Sequence, residues 1–115
     1  MADVQVLSGL SCQQFINGQL IDGEGQQECI VNPANGETLI ALTEASSAQV
    51  GSAVKAAQQA FGHWSRTTPA QRAALLLRIA DAIERQAPQL AQLEALNCGK
   101  PLHQALNDDL PAAVD

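Results

Sequence analysis

The chain has 115 residues, enough for one small domain. Hydrophobic residues make up 46% of it and aromatic residues only 3%; many of the rest are alanines, so the predicted core is thin and part of its apolar surface needs a partner or more chain. A formal charge of −6 excludes a basic nucleic-acid footprint, and no apolar run reaches the length of a membrane span.

The stretch from Met1 to Phe15 lacks the basic start and long apolar core of a secretory signal, which makes the cytoplasm the expected compartment. Residues 1–13 are polar and weakly patterned and read as a flexible arm. Phe15 to Ile21 reads as a tight β-hairpin, because Asn17-Gly18 tolerates positive φ at both turn positions. Asp22-Gly23-Glu24-Gly25 is a predicted turn. Its glycines begin like a dinucleotide fingerprint, but Glu28 stands where the third glycine belongs, and no helix follows. No phosphate cradle is expected there. Glu28 to Val31 and Glu37 to Thr43 are predicted strands, reversed by Asn32-Pro33-Ala34-Asn35-Gly36.

The remainder reads as about four helices forming a compact layer, with the apolar stripe of the second expected to stand partly exposed where missing sheet would cover it. Ser46 with Gln49 makes a capping box, and Val50, Ala53, Val54, Ala57 and Phe61 repeat as one face of the first helix. Gly51 weakens that helix by about 1 kcal/mol against Ala. Gly62 is expected to terminate it, and Trp64 to plug the gap to the next.

The second helix, Thr68 to Gln86, is the clearest in the chain. Thr68 is its N-cap, Pro69 fits the first helical position and Gln71 completes a second capping box. Leu76, Ile79, Ala80, Ile83 and Ala87 recur at steps of three and four and make one apolar stripe. Asp81 and Arg85 have the spacing of a helical pair. Pro88 removes a backbone donor and is expected to break or kink this helix. A third helix then carries Leu90, Leu93 and Leu96, with Gly99 placed to end it in a left-handed conformation. Pro101 suits the first turn of a fourth helix, whose apolar side holds Ala105 and Leu106. Pro111 either kinks it or follows a restart capped by Asp108 or Asp109. The pattern runs to Val114-Asp115 without a C-cap glycine or a polar tail, which predicts truncation.

Cys12, Cys29 and Cys98 are odd in number and widely spaced, with no metal-ligand or redox frame, and are expected as reduced, partly buried thiols. Lys100 beside Cys98 could lower its pKa, but no matched base is evident nearby, so Cys98 reads as structural. Lys100 itself suits the C-terminal dipole of the preceding helix, while His63 and His103 read as solvent-facing or capping residues.

Four stretches, taken in order, resemble the N-terminal part of the NAD-dependent aldehyde dehydrogenase superfamily. They are FINGQLIDGEG at 15–25, IVNPANGETL at 30–39, AVKAAQQAFGHWS at 53–65, and NCGKPL at 97–102 behind LAQLEAL. The form around Asn97 to His103, followed by Asn107-Asp108, is most similar to the γ-aminobutyraldehyde dehydrogenase branch. The resemblance implies an α/β fold, with 14–115 as the start of an NAD-binding domain: β-hairpins over 14–43, helices over 46–115. It implies NAD as cofactor, small amino-aldehydes as substrates, and a homo-oligomer, a tetramer in the complete enzyme.

In that family a cysteine thiolate attacks the aldehyde, hydride leaves to NAD, and a glutamate activates water to release the acid. The nucleophile, the glutamate, the oxyanion asparagine and the cofactor loop match nothing within these 115 residues. One family site does transfer, a monovalent cation (K⁺ or Na⁺) held by backbone carbonyls and a carboxylate, here matched to Ile30, Val31 and Asp109. A hard cation wants oxygen ligands; the plainer role for Asp109 is helix capping. The resemblance also implies that the helix from Pro101 borders the substrate entrance, which leaves Asp108 to face solvent or that entrance, where negative charge would draw an ammonium-bearing aldehyde. The competing reading is a non-catalytic helical interaction or structural module.

Overall fold

The computed structural model describes residues 7–115. Two antiparallel hairpins come first. β1 (Gln14–Ile16) pairs with β2 (Gln19–Ile21), and β3 (Gln27–Val31) with β4 (Thr38–Thr43). The first hairpin turns through Asn17 at φ 52° and Gly18 at φ 77°, both left-handed, as a two-residue turn of this kind requires. In the second, Ile30 faces Ile40 but Val31 faces Thr38, so β4 carries an extra residue at that step.

The Asp22–Gly25 segment lies along the end of β4. Gly25 donates its N–H to the Glu44 carbonyl at 2.8 Å, and Glu44 donates to the Gln26 carbonyl at 2.9 Å. A Cβ on Gly23 would stand 2.1 Å from the Thr43 carbonyl oxygen, so this glycine serves close approach of two backbones.

Helix α1 (Ser47–Trp64) starts on the expected box: Gln49 N–H donates to Ser46 Oγ, and Gln49 Oε1 accepts from Ser46 N–H. Such a cap contributes about 1 kcal/mol. Gln49 also reaches beyond its own helix. Its Nε2 donates to the Asp22 carbonyl at 2.7 Å, and its Oε1 accepts from the Glu24 N–H at 3.0 Å. It is 6% exposed, the one buried polar residue among those described, and it clasps the helix to the first loop. The face of α1 that meets the first hairpin is built of Ala53, Ala56, Ala57 and Ala60, which border Phe15 and Ile16. Of the expected face, Val50, Val54 and Phe61 stay exposed. Gly62 does not end α1, which passes through it to Trp64 and closes on Ser65. Trp64 is itself 42% exposed and plugs no gap.

Helix α2 (Pro69–Cys98) opens on the Thr68–Gln71 box and ends on Gly99 at φ 71°. It is one helix where two were expected, because Pro88 does not interrupt it. A proline inside a helix costs about 3 kcal/mol, and packing on both sides of Pro88 offsets that cost. Before it, Ile83 and Ala87 lie against the last helix; after it, Leu90, Leu93 and Leu96 lie against the second hairpin.

The last helix, α3, is continuous in three parts: Leu102–Gln104, a π-helical turn Ala105–Asp109, and Leu110–Val114. Pro101 stands just before its first residue. In a regular helix the Pro111 ring would meet the carbonyl of Asn107. The wider turn avoids this, and the Leu110 N–H bonds back to the Ala105 carbonyl instead. The chain therefore neither kinks sharply nor restarts, and neither aspartate caps it: the last part shows no side-chain cap bond. The result is three helices rather than four.

The described residues hold almost no core. Ala91 and Ala105, both fully buried, are its hydrophobic members. The expected compact layer is absent, with a radius of gyration of 17.0 Å against roughly 13 Å for a compact chain of about 100 residues. Leu76 and Ile79 of the stripe are 65% and 49% exposed, in line with the expectation of a partly uncovered face.

Candidate functional site

The chemistry-bearing residues meet where α2 ends. Gly99 is the only residue type that suits this corner twice over. Its backbone is left-handed, and a Cβ would stand 3.0 Å from Cγ of Pro33 in the β3–β4 turn. Its N–H closes on the Ala95 carbonyl at 3.0 Å. The corner thus seats the second hairpin against the end of α2 and sends Lys100 towards α3.

Lys100 Nζ donates to Asp109 Oδ2, the one ion pair among the described residues. Both side chains are partly exposed, so salt screens the pair. The Asp109 carboxylate, with Glu94 and Cys98 beyond it, holds the Lys100 ammonium above the usual lysine range despite some lost hydration. The lysine therefore answers a side chain of α3 rather than serving only the helix dipole. Asp81 and Arg85 make no ion pair.

The lowering that Lys100 could exert on Cys98 is outweighed. The Glu94 carboxylate, one turn back, favours the protonated thiol and pushes Cys98 above the usual thiol range. Lost hydration and the Glu94 charge add to this, and together they outweigh Lys100 and Asn97. The Asn97 Nδ2 lies 3.9 Å from the sulfur. Such a thiol is a poor nucleophile near neutral pH. All three cysteines are exposed rather than partly buried.

Between the second hairpin and α2 lies a cavity of about 380 Å³. Ile30, Leu39, Ile40, Leu90 and Leu93 supply apolar walls, and Glu94 and Asn97 stand at its polar side. Ile30 of the matched cation set borders this cavity; Val31 and Asp109 do not. Val31 is 45% exposed at the end of β3. Asp108 is exposed in the π-helical turn beside Asp109. His63 and His103 are exposed as expected. Among the described residues no group of three His, Cys, Asp or Glu side chains could hold a metal, and no helix is long and apolar enough to cross a membrane.

Two residues gain roles that the sequence reading missed. Glu94 stands four residues before Cys98, a spacing that puts both on one helix face and was a usable signal. Gln49 was legible as a capping residue, but its reach to Asp22 and Glu24 depends on how the loop folds back.

The profile described as "Aldehyde dehydrogenase family" matches residues 20–115. The candidate aldehyde dehydrogenase DhaS of Bacillus subtilis is 42% identical over 104 residues, covering 88% of this chain and 21% of the relative. The aminoacetaldehyde dehydrogenase of Pseudomonas aeruginosa is 38% identical over 104 residues, with the same coverage of 88% and 21%. Among solved structures, betaine aldehyde dehydrogenase from Staphylococcus aureus in complex with NAD⁺ superposes with a TM-score of 0.92 at 30% identity. That match covers 98% of this chain and 23% of that one. The chain spans about a fifth of the length of the curated relatives it matches. From its Leu20 hairpin strand through the Gly99 corner to the last helix, the chain belongs to the aldehyde dehydrogenase family.

Proposed function

We propose that this chain is the N-terminal segment of an NAD-dependent aldehyde dehydrogenase that oxidises small amino-aldehydes, such as γ-aminobutyraldehyde, to the acid. The family match over residues 20–115 carries the reading. The similarity to an aminoacetaldehyde dehydrogenase supports the substrate class, and the likeness to an NAD⁺ complex supports the cofactor. NAD would accept hydride in the complete enzyme. No residue of this chain is assigned to bind it, and none is assigned as nucleophile or base.

The segment's own contribution is a scaffold and a charge. Asp109 is neutralised by Lys100, which leaves Asp108 as the carboxylate of the π-helical turn free to draw a cationic aldehyde. The complete enzyme is a homo-oligomer in this reading, with a tetramer as the expected state.

The test is a chimera in which residues 20–115 replace the matching stretch of the Pseudomonas aeruginosa aminoacetaldehyde dehydrogenase. It should oxidise γ-aminobutyraldehyde with NAD, while the isolated chain forms no NADH. Asp108→Ala in the chimera should raise KM for the amino-aldehyde more than for butyraldehyde. An equal effect on both aldehydes would remove Asp108 from the entrance. NADH formation by the isolated chain, freed of contaminating enzyme, would overturn the scaffold role.

A further inference from the structure

The chain exposes far more surface than its mass requires. Its accessible area is 8480 Å², where a compact monomer of 12.1 kDa would show about 6,000 Å². The excess, about 2,500 Å², is roughly three times what one partner gives to a standard protein–protein interface. The shape agrees: extents of 48 × 35 × 18 Å describe a flat body rather than a globule. Its consecutive helices do not close on each other. α1 and α2 scarcely touch, and among the described residues α1 packs chiefly on β1. Large apolar side chains stand out on both helices. On α1, Val50, Val54 and Phe61 are mostly exposed, and they fall within about 40° of one another around the axis. On α2, Leu76 and Leu77 are mostly exposed and Ile79 about half. Leu76 and Leu77 point about 100° apart, so this half of α2 is apolar on more than one side. A helix of that kind is one that other chain covers on more than one side.

We propose that these two faces dock the body of an aldehyde dehydrogenase supplied as a separate polypeptide, and that the join needs no peptide bond. The inference rests on the aldehyde dehydrogenase reading. The same open arrangement of hairpins and helices recurs in the Staphylococcus aureus enzyme, where it makes up 23% of the chain. The backbone therefore already has the form it takes inside a much longer chain, and the uncovered faces are shaped for the rest of that chain. A second copy fits less well. It would bring a second charge of −6 to the contact, and like charges repel. A symmetric dimer also buries one patch against its own equivalent, whereas the apolar side chains here lie on two helices that scarcely touch. An area of this size belongs to obligate interfaces, which are more apolar than transient ones. The consequence is that the chain can act in trans, as a detachable first segment.

Co-expression tests this. The 115-residue chain, carrying an affinity tag, is produced together with the Pseudomonas aeruginosa aminoacetaldehyde dehydrogenase lacking the stretch that this chain matches. The two should co-purify in equal amounts and form NADH from aminoacetaldehyde, which neither does alone. Leu76→Glu combined with Leu77→Glu should leave the circular dichroism of the isolated chain as it is, because both side chains are mostly exposed. The same pair should cut the body recovered with the chain by at least about tenfold, since the contact would then bury two unpaired charges. Gln59→Glu, on the side of α1 opposite Val50, should change that recovery by less than about twofold. A body that stays insoluble, or soluble but separate, would overturn the proposal. So would recovery indifferent to the paired glutamates, or a dimer of this chain that excess body does not displace. The covalent chimera separates the two readings. An active chimera whose halves do not associate when made apart sinks the docking surface and leaves the aldehyde reading standing. Halves that associate while neither they nor the chimera form NADH keep the docking surface and remove the aldehyde reading.

Discussion

The two halves of α2 have similar patterns and different fates. Before Ile83 the helix shows Leu76, Leu77 and Ile79 to solvent at 65%, 67% and 49%. After Pro88 it holds Ala91 fully buried and keeps Leu90, Leu93 and Leu96 half-buried against the hairpin. Leucines recur at helical spacing in both halves. What separates them is a neighbour: the second hairpin packs on the stretch after Pro88 and α3 on Ile83 and Ala87, and neither covers Leu76, Leu77 or Ile79. Periodicity states which face of a helix can be buried, and topology states whether anything arrives to bury it.

The largest expected effect probes the join between the halves. Pro88→Ala should stabilise the chain by up to about 3 kcal/mol in urea denaturation, because α2 already runs through that position as a helix. No change would mean that α2 is broken there in solution, as the sequence alone suggested. Next comes crowding of the packed half. Ala91→Leu should destabilise by about 1–3 kcal/mol, since the residue is fully buried. Ala74→Leu, on the bare half, should stay within about 0.5 kcal/mol. Truncation should sharpen the same contrast: Leu93→Ala, half-buried, is expected to lose about 1–2 kcal/mol. Leu76→Ala, mostly exposed, should fall below about 0.5 kcal/mol. If the two leucines behave alike, the bare stripe is covered in solution, and sedimentation at rising concentration would show the association.

The smallest effects are in pH. The Lys100 pKa is raised in the folded chain, so the stability it adds is fully present below its ordinary value of 10.5 and is lost as pH climbs through the higher folded value. Stability should therefore show no Lys100 component between neutral pH and about 10, and Lys100→Arg should carry the plateau further into base. Cys98 should alkylate slowly at neutral pH and quicken in Glu94→Gln, which removes the chief cause of its raised pKa. Iodoacetamide labelling read by mass spectrometry distinguishes it from Cys12 and Cys29. An unchanged Cys98 rate in that variant would show that Glu94 does not hold the thiol.

Much of this was written in local residue chemistry. Asn17-Gly18 could make only a tight left-handed turn. Ser46 with Gln49 and Thr68 with Gln71 closed both capping boxes, and Gly99 took the left-handed end of α2. Each of these depends on bonds among residues at most a few positions apart, so nearby sequence is sufficient to set them. The family was legible for a related reason: turns, caps and a Gly-Lys-Pro corner recur in fixed order along the chain.

Tertiary structure decided what those rules leave open. Pro88 and Gly62 are breakers by propensity, yet neither ends its helix, and for Pro88 contacts from distant residues offset the local penalty. Pro111 was read as a kink or a restart, and the chain instead widened one turn, a solution visible only once the Ala105 carbonyl meets the Leu110 N–H. Lys100 had two local roles available, at the dipole and at Cys98, and took neither as its main one. Its partner lies nine residues away on another helix, placed there by a glycine corner that a proline from the second hairpin pins down. Bonds within a turn are chosen by the residues in it; pairings between elements are chosen by where the fold brings them together.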